Sequence, residues 1–204
     1  CVQQSVMNLG ILMVQGLVNS FGPAVMAAFA AAVKIDSFAY MPVQDFGNAF
    51  SSFIAQNYGA KKEDRIRKGL KGAVTASVLF CVVISAAVWM FAEPLMLLFI
   101  DKSETAIVAE GIRYLHIEGA FYCGIGCLFL LYGLYRALGK PGMSVVLTVI
   151  SLGTRVALAY LLSAIPAVGA VGIWWSVPIG WALADIAGLS YYVVRKNNLL
   201  RFGS

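Results

Sequence analysis

The chain has 204 residues, of which 60% are hydrophobic and only 12% are charged. Soluble domains carry about a quarter charged residues, so this composition excludes an ordinary soluble domain and indicates a chain that lies mostly in lipid. The net charge is +5, but the basic residues lie in short blocks between apolar runs. That arrangement is typical of membrane topology. We therefore expect a lipid bilayer, and no nucleic acid, as the surroundings of this protein.

Six apolar stretches predict six transmembrane helices and an all-α, polytopic membrane protein. Each stretch is bounded by charged residues, Gly or Pro, such as the turn signal at residues 19–23 and Pro166. A spanning helix needs roughly 20 residues, so no room is left for an added soluble domain. We interpret residues 1–204 as a single six-helix domain. The predicted spans are about residues 2–20, 24–58, 70–91, 112–135, 143–165 and 170–194.

The distribution of positive charge predicts the orientation of these spans. Eleven of the fifteen Lys and Arg residues lie after the second span, after the fourth span and in the C-terminal tail. The connections after the first and fifth spans carry no charge. Because cytoplasmic loops are enriched in Lys and Arg, we expect a multi-pass plasma-membrane protein with both ends of this chain in the cytoplasm.

The four cysteines do not indicate a disulfide framework or a metal centre. Cys123 and Cys127 have a spacing that could hold a metal, but no third cysteine and no histidine except His116 lies near them in the sequence. We interpret both as small packing residues of a membrane helix. We expect no cofactor beyond a coupling ion, and the single histidine argues against a membrane enzyme.

Ionisable residues inside the predicted spans are candidates for ion coupling, because a charge in lipid is costly and usually functional. Arg155 and Asp185 lie on consecutive antiparallel spans at similar predicted depth. A structural ion pair between them is the leading interpretation, and an ion-sensing cavity is the alternative. Asp36 either lines a cavity or pairs with Lys34. Glu118 lies near the outer end of the fourth span, where extension of its side chain to water explains it almost as well.

A polar stripe on the first span predicts one wall of a substrate cavity. Gln4, Asn8 and Gln15 recur, together with Asn19, at helical spacing, which places them on one side of the helix. A polar stripe on a spanning helix faces other helices or a water-filled path rather than lipid. Both interpretations remain open for these residues.

Aromatic and methionine side chains on the second span suit an adaptable drug pocket. Phe38, Tyr40 and Met41 are the candidates that we expect to line it. Packing in the helical core explains the same residue types and is the alternative.

The second span and the loop after it also carry motifs that resemble a known family. These motifs are Lys34-Ile35-Asp36-Ser37, Tyr40-Met41-Pro42 and Gln56-Asn57-Tyr58-Gly59-Ala60-Lys61-Lys62. A further one is Arg136-Ala137-Leu138-Gly139-Lys140-Pro141. Together they resemble the second half of the MATE (multidrug and toxic compound extrusion) transporters. The resemblance extends, span for span, over nearly the whole chain.

The resemblance implies one lobe of a twelve-helix, pseudo-symmetric transporter, whose other part is an N-terminal six-helix lobe. It implies the export of small organic, cationic compounds in exchange for Na⁺ or H⁺ by alternating access. Flippases for lipid-linked saccharides share this fold and are the alternative. A cavity lined by several basic residues would favour a flippase, and only Lys34, Arg113 and Arg155 are available for it.

The chain departs from the family pattern at the residues that bind the cation in some members. Those members carry an acid in the middle of the seventh helix and another in the middle of the tenth. The corresponding residues here are Met7 and Asn8, and the stretch 123–127, with no acid in either place. The coupling carboxylate is therefore expected at Asp36 or Asp185, or in the other lobe.

Overall fold

The computed structural model describes residues 2–200, which form eight α-helices and no strand. The chain forms helices because its apolar segments are long and a helix satisfies its own backbone hydrogen bonds in lipid. An alternation of apolar and polar residues, which favours sheets, does not determine this fold. The helices are α1 (Val2–Asn19), α2 (Pro23–Gly59), α3 (Glu63–Met90), α4 (Ala92–Leu97), α5 (Thr105–Gly119), α6 (Tyr122–Ala137), α7 (Pro141–Ser163) and α8 (Ala170–Leu199).

Four helices, α2, α3, α7 and α8, are each long and apolar enough to cross a bilayer. The helices α5 and α6 satisfy the same criterion together, as one broken span. The helix α1 has 18 residues, and the amide side chains of its polar stripe reduce its hydropathy. The prediction of an all-α, polytopic membrane protein is confirmed, and the predicted six spans agree approximately with the four or five that meet this criterion.

Apolar side chains cover the outside of the helices as well as the core. Leu79, Val82 and Val83 on α3 are 66%, 52% and 59% exposed. Such a surface would be costly in water and is favourable in contact with lipid tails.

The fourth span is broken into two helices. The sequence predicted one continuous span at about residues 112–135 and did not reveal this break. The helix α5 already begins at Thr105 and ends at Gly119, and α6 begins at Tyr122 with a bend of 52°. Phe121 has φ −116° and ψ 19°, outside the helical range, and its N–H bonds back to the carbonyl of Glu118 in a turn. The break therefore places Glu118 at the end of a half-helix inside the bundle.

Close helix crossings hold the bundle around α2, which packs against α3, α5 and α6, while α7 packs along α8. A Cβ atom at Gly133 would lie 2.6 Å from the carbonyl oxygen of Gly47, so α6 and α2 touch backbone to backbone. A Cβ at Gly180 would lie equally close, at 2.6 Å, to the carbonyl oxygen of Ser151. Small residues at such crossings let membrane helices approach closely.

Candidate substrate cavity and ion-coupling site

A cavity of about 310 Å³ lies between α1, α2, α5, α6, α7 and α8. Its wall combines apolar and aromatic side chains with an unusual number of polar ones for the interior of a membrane protein. The polar and ionisable lining residues are Gln4, Gln15, Asp36, Tyr40, Gln44, Tyr114, Glu118, Tyr132, Thr148, Ser151 and Arg155.

The polar stripe of α1 forms one wall of this cavity. Gln4 and Gln15 line it directly, as does Tyr40 from α2. Asn8 is exposed and lies beside the cavity, where its Oδ1 accepts a hydrogen bond of 3.2 Å from Gln4 Nε2. Gln15 makes the equivalent bond to Asn19, at 3.3 Å.

Besides Asn8, two further residues expected to line the cavity do not do so. Phe38 is 73% exposed and lines a separate apolar groove against α3 and α4, and Met41 is 54% exposed. The reason is helical periodicity: Phe38 is two residues from both Asp36 and Tyr40, so it points about 200° away from them. The residue types suggested side chains that line a pocket, but the helical period determines on which side of α2 each side chain lies.

Asp36 and Glu118, which are on separate helices, form a carboxyl pair in the cavity wall. They are only 2% and 3% exposed, both line the cavity, and their side chains lie next to each other. The hydroxyl of Tyr122 donates to Asp36 Oδ1, and the Tyr114 side chain lies close to both carboxyls. One oxygen of each carboxyl, Asp36 Oδ2 and Glu118 Oε1, has no hydrogen-bond partner.

This placement corrects two expectations. Glu118 does not extend to water at the outer surface, because the break after α5 turns it into the bundle. Lys34 is not the partner of Asp36 either. It is exposed, and its Nζ lies 5.7 Å from the centre of the Phe99 ring.

Two buried carboxylates in contact repel each other strongly unless a cation or a proton lies between them. The pair is therefore suited to hold a single positive charge and to release it when the surroundings change. Its contact is built from residues 82 positions apart, which sequence spacing alone does not reveal.

An aromatic cluster packs beside the carboxyl pair. The rings of Phe29, Tyr114 and Trp174 lie 4.9 to 5.9 Å apart, centre to centre, and all three are almost fully buried. Trp174 Nε1 donates a hydrogen bond of 2.8 Å to Glu110, which pairs with the exposed Arg113. This cluster separates the carboxyl pair from the Glu110–Arg113 pair at the surface.

Arg155 lines the same cavity and interacts electrostatically with Asp36 and Glu118. The expected ion pair between Arg155 and Asp185 is absent, since the ion pairs among residues 2–200 are Arg67–Glu63 and Arg113–Glu110. Arg155 lies opposite Gly180 of α8. Asp185 is five residues further, about 7.5 Å along the axis and about 140° around it, so it faces another helix.

That other helix is α6, where Asp185 lies close to Cys127 and Gly124. Asp185 is half-buried, and its Oδ1 has no partner. Cys81, Cys123 and Cys127 are free thiols, and Cys1 lies outside the described residues. Across residues 2–200 no group of three or more His, Cys, Asp or Glu has the geometry of a metal site.

Comparison with known proteins identifies the family to which this fold and its cavity belong. The model of the MatE family matches residues 1–161. The chain belongs to the MATE family. This membership confirms the family resemblance and the expectation that the chain is not an enzyme.

Curated relatives show how much of a longer protein this chain matches. The probable multidrug resistance protein YpnP of Bacillus subtilis (strain 168) is 32% identical over 192 residues, which are 94% of this chain and 42% of that protein. The chain thus spans less than half the length of the curated relatives it matches. That fraction is consistent with one lobe of a two-lobe membrane transporter.

Two solved structures share the fold of this lobe. Both are described as a multidrug resistance MATE family transporter of the MOP superfamily. The outward-facing one is 21% identical, with a TM-score of 0.90 over 98% of this chain and 45% of that chain. The inward-facing one is 19% identical, with the same TM-score of 0.90 over 100% and 47%.

Proposed function

We propose that the transporter containing this chain exports small organic cations in exchange for H⁺, and that Asp36 and Glu118 hold the coupling proton. The contact between these two buried carboxyls in the cavity wall is the observation that carries the proposal. The multidrug resistance named for the relatives supports organic compounds as the cargo.

The proton and the organic cation compete for the negative charge of the carboxyl pair, and this competition couples their transport. A proton shared by Asp36 and Glu118 leaves one net negative charge on the pair, which is a low-cost arrangement in a site that excludes water. An organic cation in the cavity favours loss of that proton, and reprotonation favours release of the cation. The two ligands therefore stabilise different states of the same site, as antiport requires.

Alternating access would come from motion of this lobe against the N-terminal six-helix lobe. The lobe matches an outward-facing and an inward-facing transporter equally well, with a TM-score of 0.90 for each. This equality supports a lobe that moves largely as one body, which is a common mechanism of transporters built from repeats.

The orientation that we propose places both ends of this chain in the cytoplasm and the whole protein in the plasma membrane. The turn between α2 and α3 and the turn between α6 and α7 carry basic residues, whereas the turns after α1 and α7 carry none. The positive-inside rule supports this assignment.

A flippase for lipid-linked saccharides receives less support from the cavity. Of Lys34, Arg113 and Arg155, only Arg155 lines it. Lys34 packs over Phe99, and Arg113 pairs with Glu110 at the surface. A pyrophosphate-bearing cargo would need more positive charge than this wall provides.

Ethidium efflux from cells that express the full-length transporter tests the proposal. We expect Asp36→Asn to reduce efflux by about tenfold or more, in keeping with typical coupling energies. Asp45→Asn, which neutralises an exposed acid on the same helix outside the cavity, is the matched control and should retain efflux. Asp185→Asn should retain most activity, because Asp185 lies outside this pair.

Collapsing the proton gradient should stop efflux, while collapsing the sodium gradient should not. Efflux that depends on sodium alone would contradict the proton coupling. Efflux that survives Asp36→Asn would move the coupling site to Asp185 or to the other lobe, and no efflux from the wild type would favour the flippase.

A further inference from the structure

A second pocket, of about 220 Å³, adjoins the main cavity between α1, α2 and α6. The two share several lining residues, including Gln4, Gln44 and Tyr132. The smaller pocket adds Gln3, Asn48 and Arg136, which do not line the main cavity. In the proposed orientation it lies at the cytoplasmic end of the cavity, because Arg136 precedes the basic turn after α6.

Hydrogen bonds within the lobe fix the direction of three donor groups in this pocket. Arg136 Nη2 donates to Asn48 Oδ1 at 3.0 Å, and its Nε donates to the carbonyl of Tyr132 at 3.3 Å. A guanidinium only donates, so the oxygen of Asn48 faces it and the Asn48 amide N–H groups remain available. The Ser144 hydroxyl donates to Gln3 Oε1 at 3.1 Å, which likewise leaves the Gln3 N–H groups available.

The pocket therefore presents donors from three different helices and a full positive charge from Arg136. Among residues 2–200, no Asp or Glu lines it. Gln4, whose Nε2 donates to Asn8, contributes a carbonyl oxygen that can accept from a protonated ligand oxygen. Asn48 is twelve residues after Asp36 on α2, about 18 Å along the helix, so this pocket is separate from the carboxyl pair.

We propose that Gln3, Asn48 and Arg136 bind a phosphate group, carried either by a soluble anion or by a lipid headgroup. An arginine already held by neighbouring groups loses little freedom on binding, and its remaining N–H groups match phosphate oxygens. Three donors that line one pocket from three helices suit a ligand with several oxygens. The Gln4 oxygen suits the hydroxyl of monohydrogen phosphate.

Calorimetric titration of the purified full-length transporter with inorganic phosphate, against chloride at equal ionic strength, tests the soluble source. We expect Arg136→Gln to weaken binding about tenfold or more, as expected for a lost charge-assisted hydrogen bond. Lys140→Gln removes the same charge from an exposed position four residues away, outside the pocket, and should bind like the wild type.

Native mass spectrometry with phosphatidic acid and with diacylglycerol tests the lipid source, because the two share their acyl chains and differ in the phosphate. We expect an adduct with phosphatidic acid that diacylglycerol does not give and that Arg136→Gln removes. Asn48→Asp keeps an acceptor for Arg136 but removes the amide donor and adds a negative charge. It should abolish binding even if Arg136→Gln fails to fold.

Arg136-dependent binding of either probe supports the phosphate site and shows whether a soluble anion or a lipid headgroup supplies the phosphate group. Binding of neither probe, or an equal loss in Arg136→Gln and Lys140→Gln, overturns it. Asp36→Asn should bind both probes like the wild type, so failure of the coupling mechanism and failure of this site are distinguishable.

Discussion

Asp36 and Glu118 touch across two helices, and their contributions to transport should therefore not be independent. We expect Asp36→Asn and Glu118→Gln each to lower gradient-driven ethidium efflux about tenfold or more, and the double variant to be no worse than either single one. Residues that act as one unit show such non-additivity. Efflux rates of the four proteins at matched expression form the double-mutant cycle.

Arg155 and Asp185 provide a contrasting double-mutant cycle, because in the structure their side chains face different helices. The effects of Arg155→Gln and Asp185→Asn on efflux should add within about 0.5 kcal/mol, as expected for residues without a shared partner. Strong coupling between Arg155 and Asp185, or additive effects of Asp36→Asn and Glu118→Gln, would contradict this assignment of contacts.

At the residue scale, the sequence predicted which residues matter more accurately than it predicted where their side chains point. Intramembrane charge alone identified Asp36, Glu118 and Arg155 as candidates, since charges in lipid are costly. It did not reveal that the first two touch, because that contact joins residues far apart in the chain. Phe38 and Met41 were selected by residue type, and their helical phase excludes them from the cavity.

The crossing of α2 and α6 offers a test at the scale of helices. We expect Gly133→Ala to destabilise the lobe by about 1–3 kcal/mol, because its new Cβ would lie 2.6 Å from the Gly47 carbonyl oxygen and must push the helices apart. Thermal unfolding followed by size-exclusion chromatography of the detergent-solubilised protein measures this effect.

Gly153→Ala is the control for that substitution, since nothing lies within 4 Å of its added Cβ. It should leave the midpoint of thermal unfolding unchanged or slightly raise it, because Ala favours helix more than Gly does. Equal midpoints for the Gly133 and Gly153 variants would contradict the close crossing.

The broken span shows where sequence pattern stops being informative about helices. Apolarity continues through Ala120 and Phe121, so the composition of this region favours a single helix. The turn there depends on backbone angles at Phe121 and on packing of Gly119 against Val88 of α3. Tertiary contacts of this kind determine the break, and with it the burial of Glu118.

Topology is the prediction that belongs to the whole molecule. In a variant without native cysteines, Lys62→Cys in the turn after α2 should react with a membrane-impermeant maleimide only after cells are permeabilised. Lys102→Cys, between α4 and α5, should react in intact cells. The positive-inside rule predicts this result, and the reverse pattern of labelling would invert the proposed orientation.

At this scale the sequence was most informative, because hydropathy and alternating charge are properties of whole segments. They predicted an all-helical membrane lobe, and the motifs around Gln56-Asn57 and Arg136 predicted its family. The cavity itself could be outlined only through Gln4, Gln15 and Tyr40, since six helices contribute to its wall. Such a wall depends on how helices pack, which no single segment encodes.

The measurement that tests the central claim most directly is proton release when an organic cation binds. Weakly buffered, detergent-purified full-length transporter would be mixed with ethidium while a pH indicator is followed. The wild type and Asp45→Asn should release about one proton per bound cation, because the cation displaces the proton of the carboxyl pair. Asp36→Asn and Glu118→Gln should release far less. Equal release from all four proteins, or none from the wild type with ethidium bound, would contradict Asp36 and Glu118 as the coupling site.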